Sequence, residues 1–391
     1  MPHIGPLHLP APFCQAGLAG YSDRAMRAVA RRHGCPYAVT EAMLDVIMLS
    51  GGQGLKKSID IDDNDHPVAG QIIGSEPDQM AKAALIMARF GYDVIDLNFA
   101  CPVKKIKNKA RGGHMLMDVP RALAILQTVR DALPPSVPTT VSLRRSFNET
   151  QQSVDEFYQV FDACWAHGYA AVRVHARTVE QKYNGKSRWP VLKKLKEEYP
   201  NRTILGSGDV FTAHDAVRML RETGVDVVWI ARGAIGNPWI FQHARQLLEA
   251  EKGSEEGSGF RVQGSANAED ESKTGTGTVF PPSSSLNPEP RTLNPPSIHE
   301  QRAALEEHFA IAMQIHGEQL AGRRMRKMGI KYSRFHPQAP DVKRDFIDVH
   351  SLRDWTNVLN RWYATDGPGT WPPADAADEV NAPDLQSCES A

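Results

Sequence analysis

The sequence predicts a (β/α)8 barrel of the TIM-barrel class followed by a C-terminal all-helical domain, and three observations predict it. Eight short apolar or β-branched runs fall at residues 11–17, 37–43, 68–73, 94–99, 139–144, 170–175, 203–207 and 225–231. Helix-patterned stretches separate most of them, which is the arithmetic of an eightfold β/α repeat. A polar, Gly- and Pro-rich stretch then interrupts the chain, and beyond it only helical spacing recurs. An open doubly wound sheet is the competing architecture, but it would want a Gly-rich dinucleotide turn after its first strand. Gln15-Ala16-Gly17-Leu18-Ala19-Gly20 is not one.

The first four helices of the body have start signals. Ser22 and Asp23 can cap a helix running through Arg32. Ser75-Glu76-Pro77 opens another through Phe90, with proline near the start, where a missing N–H costs nothing. Val119-Pro120 opens a third, ending near Leu133 before Pro134-Pro135. Ser153-Val154-Asp155-Glu156 fits a capping box, with Phe157, Val160, Phe161 and Cys164 at helical spacing behind it. Later helices are expected over residues 191–199, 213–222 and 239–249. In the tail, Ala304, Leu305, His308, Phe309, Ala312, Ile315 and His316 form one helical stripe, and Leu352, Trp355, Leu359 and Trp362 another.

Composition narrows the class. The 391 residues carry 45 Lys+Arg against 46 Asp+Glu, a net charge of −1, so attraction to nucleic acid must come from local clusters. No apolar run approaches the ~18 residues that would span a bilayer, and residues 1–12 carry no charged-then-apolar leader pattern. A cytoplasmic protein is the expectation. Five scattered cysteines without a C-x-x-C exclude a disulfide framework and the usual zinc spacings, so no metal is expected. Residues 251–300 contain 8 Ser, 6 Gly, 6 Pro and 4 Thr, a composition that cannot offset its own ordering entropy. The expected organisation is a catalytic barrel over residues 1–250, a disordered linker over 251–300, a helical domain over 301–365 and a flexible tail over 366–391.

In a barrel, chemistry belongs at the carboxyl ends of the strands. The fourth run ends Asp96-Leu97-Asn98-Phe99-Ala100-Cys101-Pro102, which brings Cys101 to the mouth beside Asp96 and Asn98. A lone cysteine there reads as a small buried hydrophobe or as a nucleophile or acid. Lys104, Lys105, Lys107, Lys109 and Arg111 follow it without an acid among them, a solvated face or an anion contact. The last two strand-end loops, Gly206-Ser207-Gly208-Asp209 and Ala231-Arg232-Gly233-Ala234-Ile235-Gly236, stand where this fold often holds a phosphate, and Arg232 is available to it. A phosphorylated cofactor such as FMN would fit. His175 and Arg177 share the same mouth, and Gln71 could bond a flavin-like ring edge. In the tail, residues 322–334 hold Arg323, Arg324, Arg326, Lys327, Lys331 and Arg334 with no acid, the pattern of an RNA phosphate surface rather than a mixed solvated helix.

Taken together, these motifs resemble the tRNA-dihydrouridine synthases. The resemblance rests on the Asp96–Cys101–Lys105 signature, Ala16-Gly17 with Asp23, Glu41-Ala42-Met43, Gln71 and Val174-His175-Ala176-Arg177-Thr178. It continues through Gln181-Lys182-Tyr183-Asn184-Gly185, Gly208-Asp209, the run from Ala231 to Trp239, and Arg326-Lys327 with Tyr332. What it implies is an FMN enzyme, recharged by NADPH, that reduces the C5–C6 double bond of particular uridines in tRNA, with Cys101 as proton donor. It also implies cofactor contacts at Ala16, Gln71, Ser142, Arg144, His175, Ser207, Gly208, Asp209, Ala231, Arg232 and Gly233. RNA or substrate contacts are implied at Asn98, Lys104, Lys105, Arg177, Tyr183, Arg323, Arg324, Arg326, Lys327 and Lys331. A monomer is the expected state.

Four positions depart from the family pattern. Ser142 stands where a lysine is usual, at the flavin's pyrimidine edge, and Arg144, two residues along on the same strand face, is expected to compensate. Ser207 replaces an asparagine, Ala100 a glycine, and Met328 a histidine. Two alternatives follow: a tRNA-binding relative with impaired catalysis, and an FMN barrel that reduces small free pyrimidines. The main reading requires Cys101 and the glycine turns to share one end of the barrel.

Overall fold

The computed structural model describes residues 1–53, 55, 61–102, 111–257 and 293–372, with side chains omitted at 252–257. A short antiparallel hairpin, β1 (His3–Ile4) with β2 (Leu7–His8), opens the chain. The sheet strands follow as β3 (Phe13–Gln15), β4 (Ala38–Val39), β5 (Met43–Leu44), β6 (Val68–Ile73), β7 (Val94–Phe99) and β8 (Thr139–Arg144). The set finishes with β9 (Ala171–His175), β10 (Ile204–Ser207) and β11 (Val227–Ile230). All pairings among β3–β11 are parallel. The order β4-β3-β11-β10-β9-β8-β7-β6 closes on itself through β4–β6, so the body is an eight-stranded barrel, with β5 a short extension alongside β6. The expected single strand at 37–43 is broken at Thr40. The Thr40 hydroxyl accepts the Gln71 N–H at 3.1 Å, and Glu41 turns aside to accept the Gly20 N–H at 2.9 Å.

Strand alternation sorts the core into two sets. Cys14, Ala16, Val39, Ala69, Val94, Ala171, Leu205, Val227 and Trp229 fill the barrel's inside, with Ile4 and Leu9 of the hairpin region in the same cluster. Gly5 lies against Pro138 and Ala170, at the amino ends of β8 and β9, so the hairpin plugs the floor. The opposite strand faces pack on the helices.

Those helices are α1 (Arg24–Arg32), α2 (Asp45–Ser50), α3 (Pro77–Arg89), α4 (Val119–Ala132), α5 (Gln151–Ala166), α6 (Trp189–Glu198), α7 (Ala213–Thr223) and α8 (Ile240–Gly257). Asp23 caps α1 through the Met26 N–H, and Pro77 and Pro120 stand in first turns, as the sequence signals require. The capping box expected at Ser153 is not formed. Thr150 caps α5 one turn earlier by accepting the Ser153 N–H, and the Ser153 hydroxyl accepts from Asn148 instead.

The C-terminal region is helical: α9 (Ile298–His316), α10 (Glu318–Tyr332), α11 (Ala339–Ile347) and α12 (Leu352–Trp362). Its boundaries differ from expectation. Residues 251–257 complete α8, a Ser297/Glu300 capping box starts α9 before residue 301, and residues 258–292 lie outside the described set. Residues 366–372 are docked rather than frayed. Gly367 O accepts the Ile298 N–H, Thr370 N–H donates to Phe335 O, and Trp371 meets His243 and Phe335 edge-on. Gly369 makes this possible, because a Cβ there would lie 2.0 Å from Pro296 O. Residues 373–391 are outside the described set.

The helical region seats on the barrel through charge and aromatic contacts. His316 Nε2 and Arg324 Nη1 meet Asp23 Oδ2 at 2.9 and 3.0 Å, and Arg32 pairs with Glu307. Lys327 Nζ donates to Gly20 O at 2.8 Å and lies 4.2 Å from the Tyr21 ring centroid. Trp239 meets Tyr332 and Phe335, and Arg334 donates to Ile235 O. Burial opposes the charge on Asp23, but the His316 hydrogen bond and the neighbouring cations hold its carboxyl well below the usual range.

Candidate active site

The carboxyl end of β7 turns sharply. Asn98 Oδ1 accepts the N–H groups of both Ala100 (3.0 Å) and Cys101 (2.9 Å), which pins the chain so that Cys101 stands at the mouth, half-buried. Cys101 O accepts the Gly113 N–H at 2.9 Å, and a Cβ on Gly112 would press on the same carbonyl at 2.8 Å. Behind the turn, Arg144 Nε donates to Ala100 O at 3.0 Å.

Below Cys101 runs a buried polar network. Asn98 Nδ2 donates to Gln71 Oε1 and Gln71 Nε2 to Asp96 Oδ2, both at 2.7 Å. Thr140 and Ser142 hydroxyls donate to Asp96 at 2.6 and 2.9 Å. Every neighbour donates, so Asp96 is placed as a carboxylate, although burial pushes its pKa up. Arg173 Nε donates to Ser142 Oγ at 2.8 Å, and its guanidinium lies 4.6 Å from the Trp229 centroid. Register explains the grouping: Asn98, Ser142 and Arg173 are direct neighbours across β7, β8 and β9 and face inward together.

The ends of β9, β10 and β11 form a cationic corner. Asp209 accepts from Arg177 at 2.8 Å, from Arg232 at 3.2 Å and from the Ser187 N–H at 2.7 Å. Two polar atoms here are buried with no partner among the described residues, Arg177 Nη1 and Ser187 Oγ. Gly208 sits at φ +121°, where a side chain is strained, and its Cβ would fall 2.1 Å from Ser187 Oγ. His175 Nδ1 accepts the Arg177 N–H at 3.2 Å. Burial, reinforced by Arg144, Arg173, Arg177 and Arg232, holds its pKa well below the ordinary histidine value, so the ring is neutral near pH 7. Tyr183 lies between Arg144 (5.5 Å) and Arg232 (5.8 Å), joining the cationic corner to the Cys101 turn. A cavity of about 1190 Å³ opens beside this corner, lined by Arg177, Tyr183, Asp209, Phe211 and Trp371; Cys101 is not part of its wall.

The structure therefore gathers Gln71, Asn98, Cys101, Ser142, Arg144, His175, Arg177, Tyr183, Ser207, Gly208, Asp209, Arg232 and Gly233 at one end of the barrel. Ala16 and Ala231 line its interior. Three expectations are corrected. Arg144 does not stand in for a charge at Ser142, because its guanidinium is committed to the carbonyls of Ala100, Thr178 and Lys182. Arg324 and Lys327 do not present a phosphate surface; Asp23, Gly20 and Tyr21 hold them at the barrel, while Arg323 and Arg326 are exposed. Lys331 lies where α10 meets the Gly236 turn, whose Cβ would come within 2.8 Å of it. Arg111, from the basic run, is buried on Asp45 at 2.9 Å, and Lys104 and Lys105 lie outside the described residues. Arg173 and Ser187 were not anticipated. For Arg173 the signal is present, since Ala-Val-Arg-Val-His puts it on the same strand face as His175.

Among the described residues no helix is long and apolar enough to cross a membrane, and no group of three His, Cys, Asp or Glu could hold a metal ion. A family model described as dihydrouridine synthase matches residues 14–262. A probable tRNA-dihydrouridine synthase of Aquifex aeolicus (strain VF5) is 31% identical over 250 residues, 63% of this chain and 77% of that one. The tRNA-dihydrouridine synthase B of Xanthomonas axonopodis pv. citri (strain 306) is 28% identical over 340 residues, 87% of this chain and 89% of its own. Among solved structures, a 2-naphthoyl-CoA reductase complex matches with a TM-score of 0.50 at 12% identity, over 62% of this chain and 51% of that one, a likeness of fold alone.

Proposed function

This chain belongs to the dihydrouridine synthase family, and from that premise we propose that it reduces uridines in tRNA using FMN and NADPH, with Cys101 as proton donor. The observation that carries the reading is that the Cys101 turn and the Gly208 and Gly233 loops sit at the same end of the barrel, bridged by Arg144 and Tyr183.

The residues present fit a flavin mononucleotide. Arg177 Nη1 and Ser187 Oγ are buried donors lacking partners beside the Gly208 turn, which is what a phosphate would satisfy. Four arginines act on His175 while two carboxylates, Asp96 and Asp209, answer them, so the mouth carries about two uncompensated positive charges, suited to a phosphate dianion. Arg177, Ser187 and Arg232 would hold the phosphate, and Gln71, Asn98 and Ser142 the ring's polar edge. When bound, the flavin supplies the hydride that reaches C6 of the uracil, and NADPH restores it.

The chain's own part is proton delivery and grip. Cys101 Sγ holds the proton destined for C5, fixed on a turn that Asn98 pins, with Arg144 within electrostatic reach of it. His175, neutral and accepting the Arg177 backbone N–H at Nδ1, carries its proton on Nε2, where it can donate to the cofactor rather than move a proton itself. The uracil must leave its stack to enter the mouth, so the flanking RNA has to be held by cations outside it. Exposed Arg323 and Arg326 on α10 suit that task.

The test is Cys101→Ala in the full chain. Dihydrouridine formation is expected to fall by about 10²–10⁴-fold, the usual worth of a positioned general acid, with FMN uptake and tRNA affinity at the parent level. Parent-level turnover would remove Cys101 from this role.

A further inference from the structure

We propose that Arg173 binds the pyrimidine end of the flavin and sets the balance between its oxidised and reduced forms. This rests on the FMN reading above and adds to it a residue that neither strand-end position nor glycine spacing points to.

Arg173 is a costly residue to place where it is. It lies in the middle of β9, facing the barrel interior between Ser142 and Leu205 in register, and is only 8% exposed. A buried charge is tolerated when it is paired and its donors are satisfied. Here one of five guanidinium N–H donors is used, on Ser142 Oγ, and one face is covered by Trp229. Its terminal amino groups make no hydrogen bond among the described residues, and no carboxylate lies within ion-pair distance of it there. Asp96 is the acid that acts on it, yet Asp96's own oxygens are taken by Gln71, Thr140 and Ser142.

The other three arginines of the mouth have partners of their own. Arg144 is held by three carbonyls, and Arg177 and Arg232 converge on Asp209. Arg173 alone keeps open donors at the depth of the Ser142–Asp96 layer, within electrostatic reach of Cys101 and Tyr183. A ligand that answers it must offer acceptors to a forked cation and gain negative charge as it works. The N1–C2 edge of a flavin does both, because reduction leaves negative charge there, and protein charge near that edge is a recognised lever on flavin electronics. Ser142 and Arg173 then act as a pair, the hydroxyl fixing the guanidinium's orientation and the guanidinium supplying the charge.

The experiment compares the full-length parent with Arg173→Met and Arg173→Lys by FMN fluorescence titration and flavin reduction potential. In Arg173→Met the Kd for FMN is expected to rise at least tenfold. Reduced FMN should lose about tenfold more affinity than oxidised FMN, a fall in potential of about 30 mV for a two-electron couple. Arg173→Lys should hold both values near the parent. Should Arg173→Met fail to fold, Arg173→Met/Asp96→Asn removes both members of the buried charge set and should show the same two changes. A folded variant lacking the arginine, with parent Kd and parent potential, overturns the proposal while leaving FMN use intact. A parent that takes up no FMN overturns the cofactor reading and this inference with it.

Discussion

Replacing Lys327 by alanine separates the two jobs that the basic α10 could do. Its ammonium donates to Gly20 O at 2.8 Å and sits 4.2 Å from the Tyr21 ring. A charged hydrogen bond contributes about 1.5–3 kcal/mol and a half-buried cation–π contact about 1 kcal/mol, but one ammonium serves both and the two do not add. The expected cost is therefore about 2 kcal/mol, which at an m-value of about 3 kcal/mol/M lowers the urea midpoint by about 0.7 M. Arg324, 38% exposed where it meets Asp23, is a screened pair and should cost about 1 kcal/mol or less. Arg323 and Arg326 are exposed, so their alanine variants should keep stability within about 0.5 kcal/mol. The tRNA assay reads the other job. If Arg323 or Arg326 touches a phosphate, its removal should reduce the slope of log K against log salt by about 0.7–0.9, whereas Lys327→Ala should leave that slope unchanged. A Lys327→Ala protein with the parent's urea midpoint and a slope reduced like that of Arg326→Ala would refute this division of labour.

Two further outcomes are expected. His308 is buried against Tyr332, and burial pushes its pKa down to about 4, below the unfolded value of about 6.5. As pH falls from about 6.5 to 4 the unfolded chain takes the proton first, so stability should drop by up to about 3 kcal/mol across that window and stay flat above it. Asp23, with its pKa held down by His316, adds its own loss only below about pH 4. Urea midpoints measured from pH 8 to 4 check this, and His308→Phe should lessen the slope by one proton's share, His175 and His243 among those keeping the rest; an unchanged slope would discount His308. In Gly233→Ala the new Cβ would stand 2.6 Å from Val210 O and 2.9 Å from the Phe211 backbone, which cannot yield as a side chain can. FMN affinity should fall at least tenfold with circular dichroism intact, and parent affinity would show that this loop does not shape the phosphate site.

How much of this was legible depended on the range of the interaction. The barrel was readable because the strands carry their own period and several helices their own start signals: Asp23, Pro77 and Pro120 act within one turn of chain. Thr150 and Ser153 show the limit of that reading. Both are sound caps, and the choice fell to the earlier one because the Ser153 hydroxyl found Asn148 instead. Of the α10 cations, Arg324 and Lys327 were misread for a different reason. A run of Lys and Arg looks the same whether its partner is RNA or a carboxylate 301 residues earlier in the chain, and only the fold brings Asp23 to Arg324. Arg144 was placed on the correct strand face, but face does not fix what a long side chain reaches, and loop carbonyls at Thr178 and Lys182 captured it.

The mouth's two carboxylates explain why one arginine could be overlooked and still matter. Asp209 lies at a strand end, at φ +55° in the turn after β10, and takes both Arg177 and Arg232; that corner keeps one net positive charge and announces itself through its glycines. Asp96 lies one layer deeper and is wrapped by hydroxyl and amide donors, so its charge is delocalised into a network rather than handed to a cation. A guanidinium beside such a network feels its field while giving up only its Nε–H to it. On the proposed reading, this is how the barrel keeps a positive charge ready for a ligand in a dry interior: the acid lowers the cost of burying Arg173, and Ser142, too short to carry a charge, aims it. The same logic sets the order of sensitivity, since loss of Asp96 should destabilise the fold more than loss of Ser142, while loss of Ser142 should release the guanidinium's orientation and cost flavin affinity first.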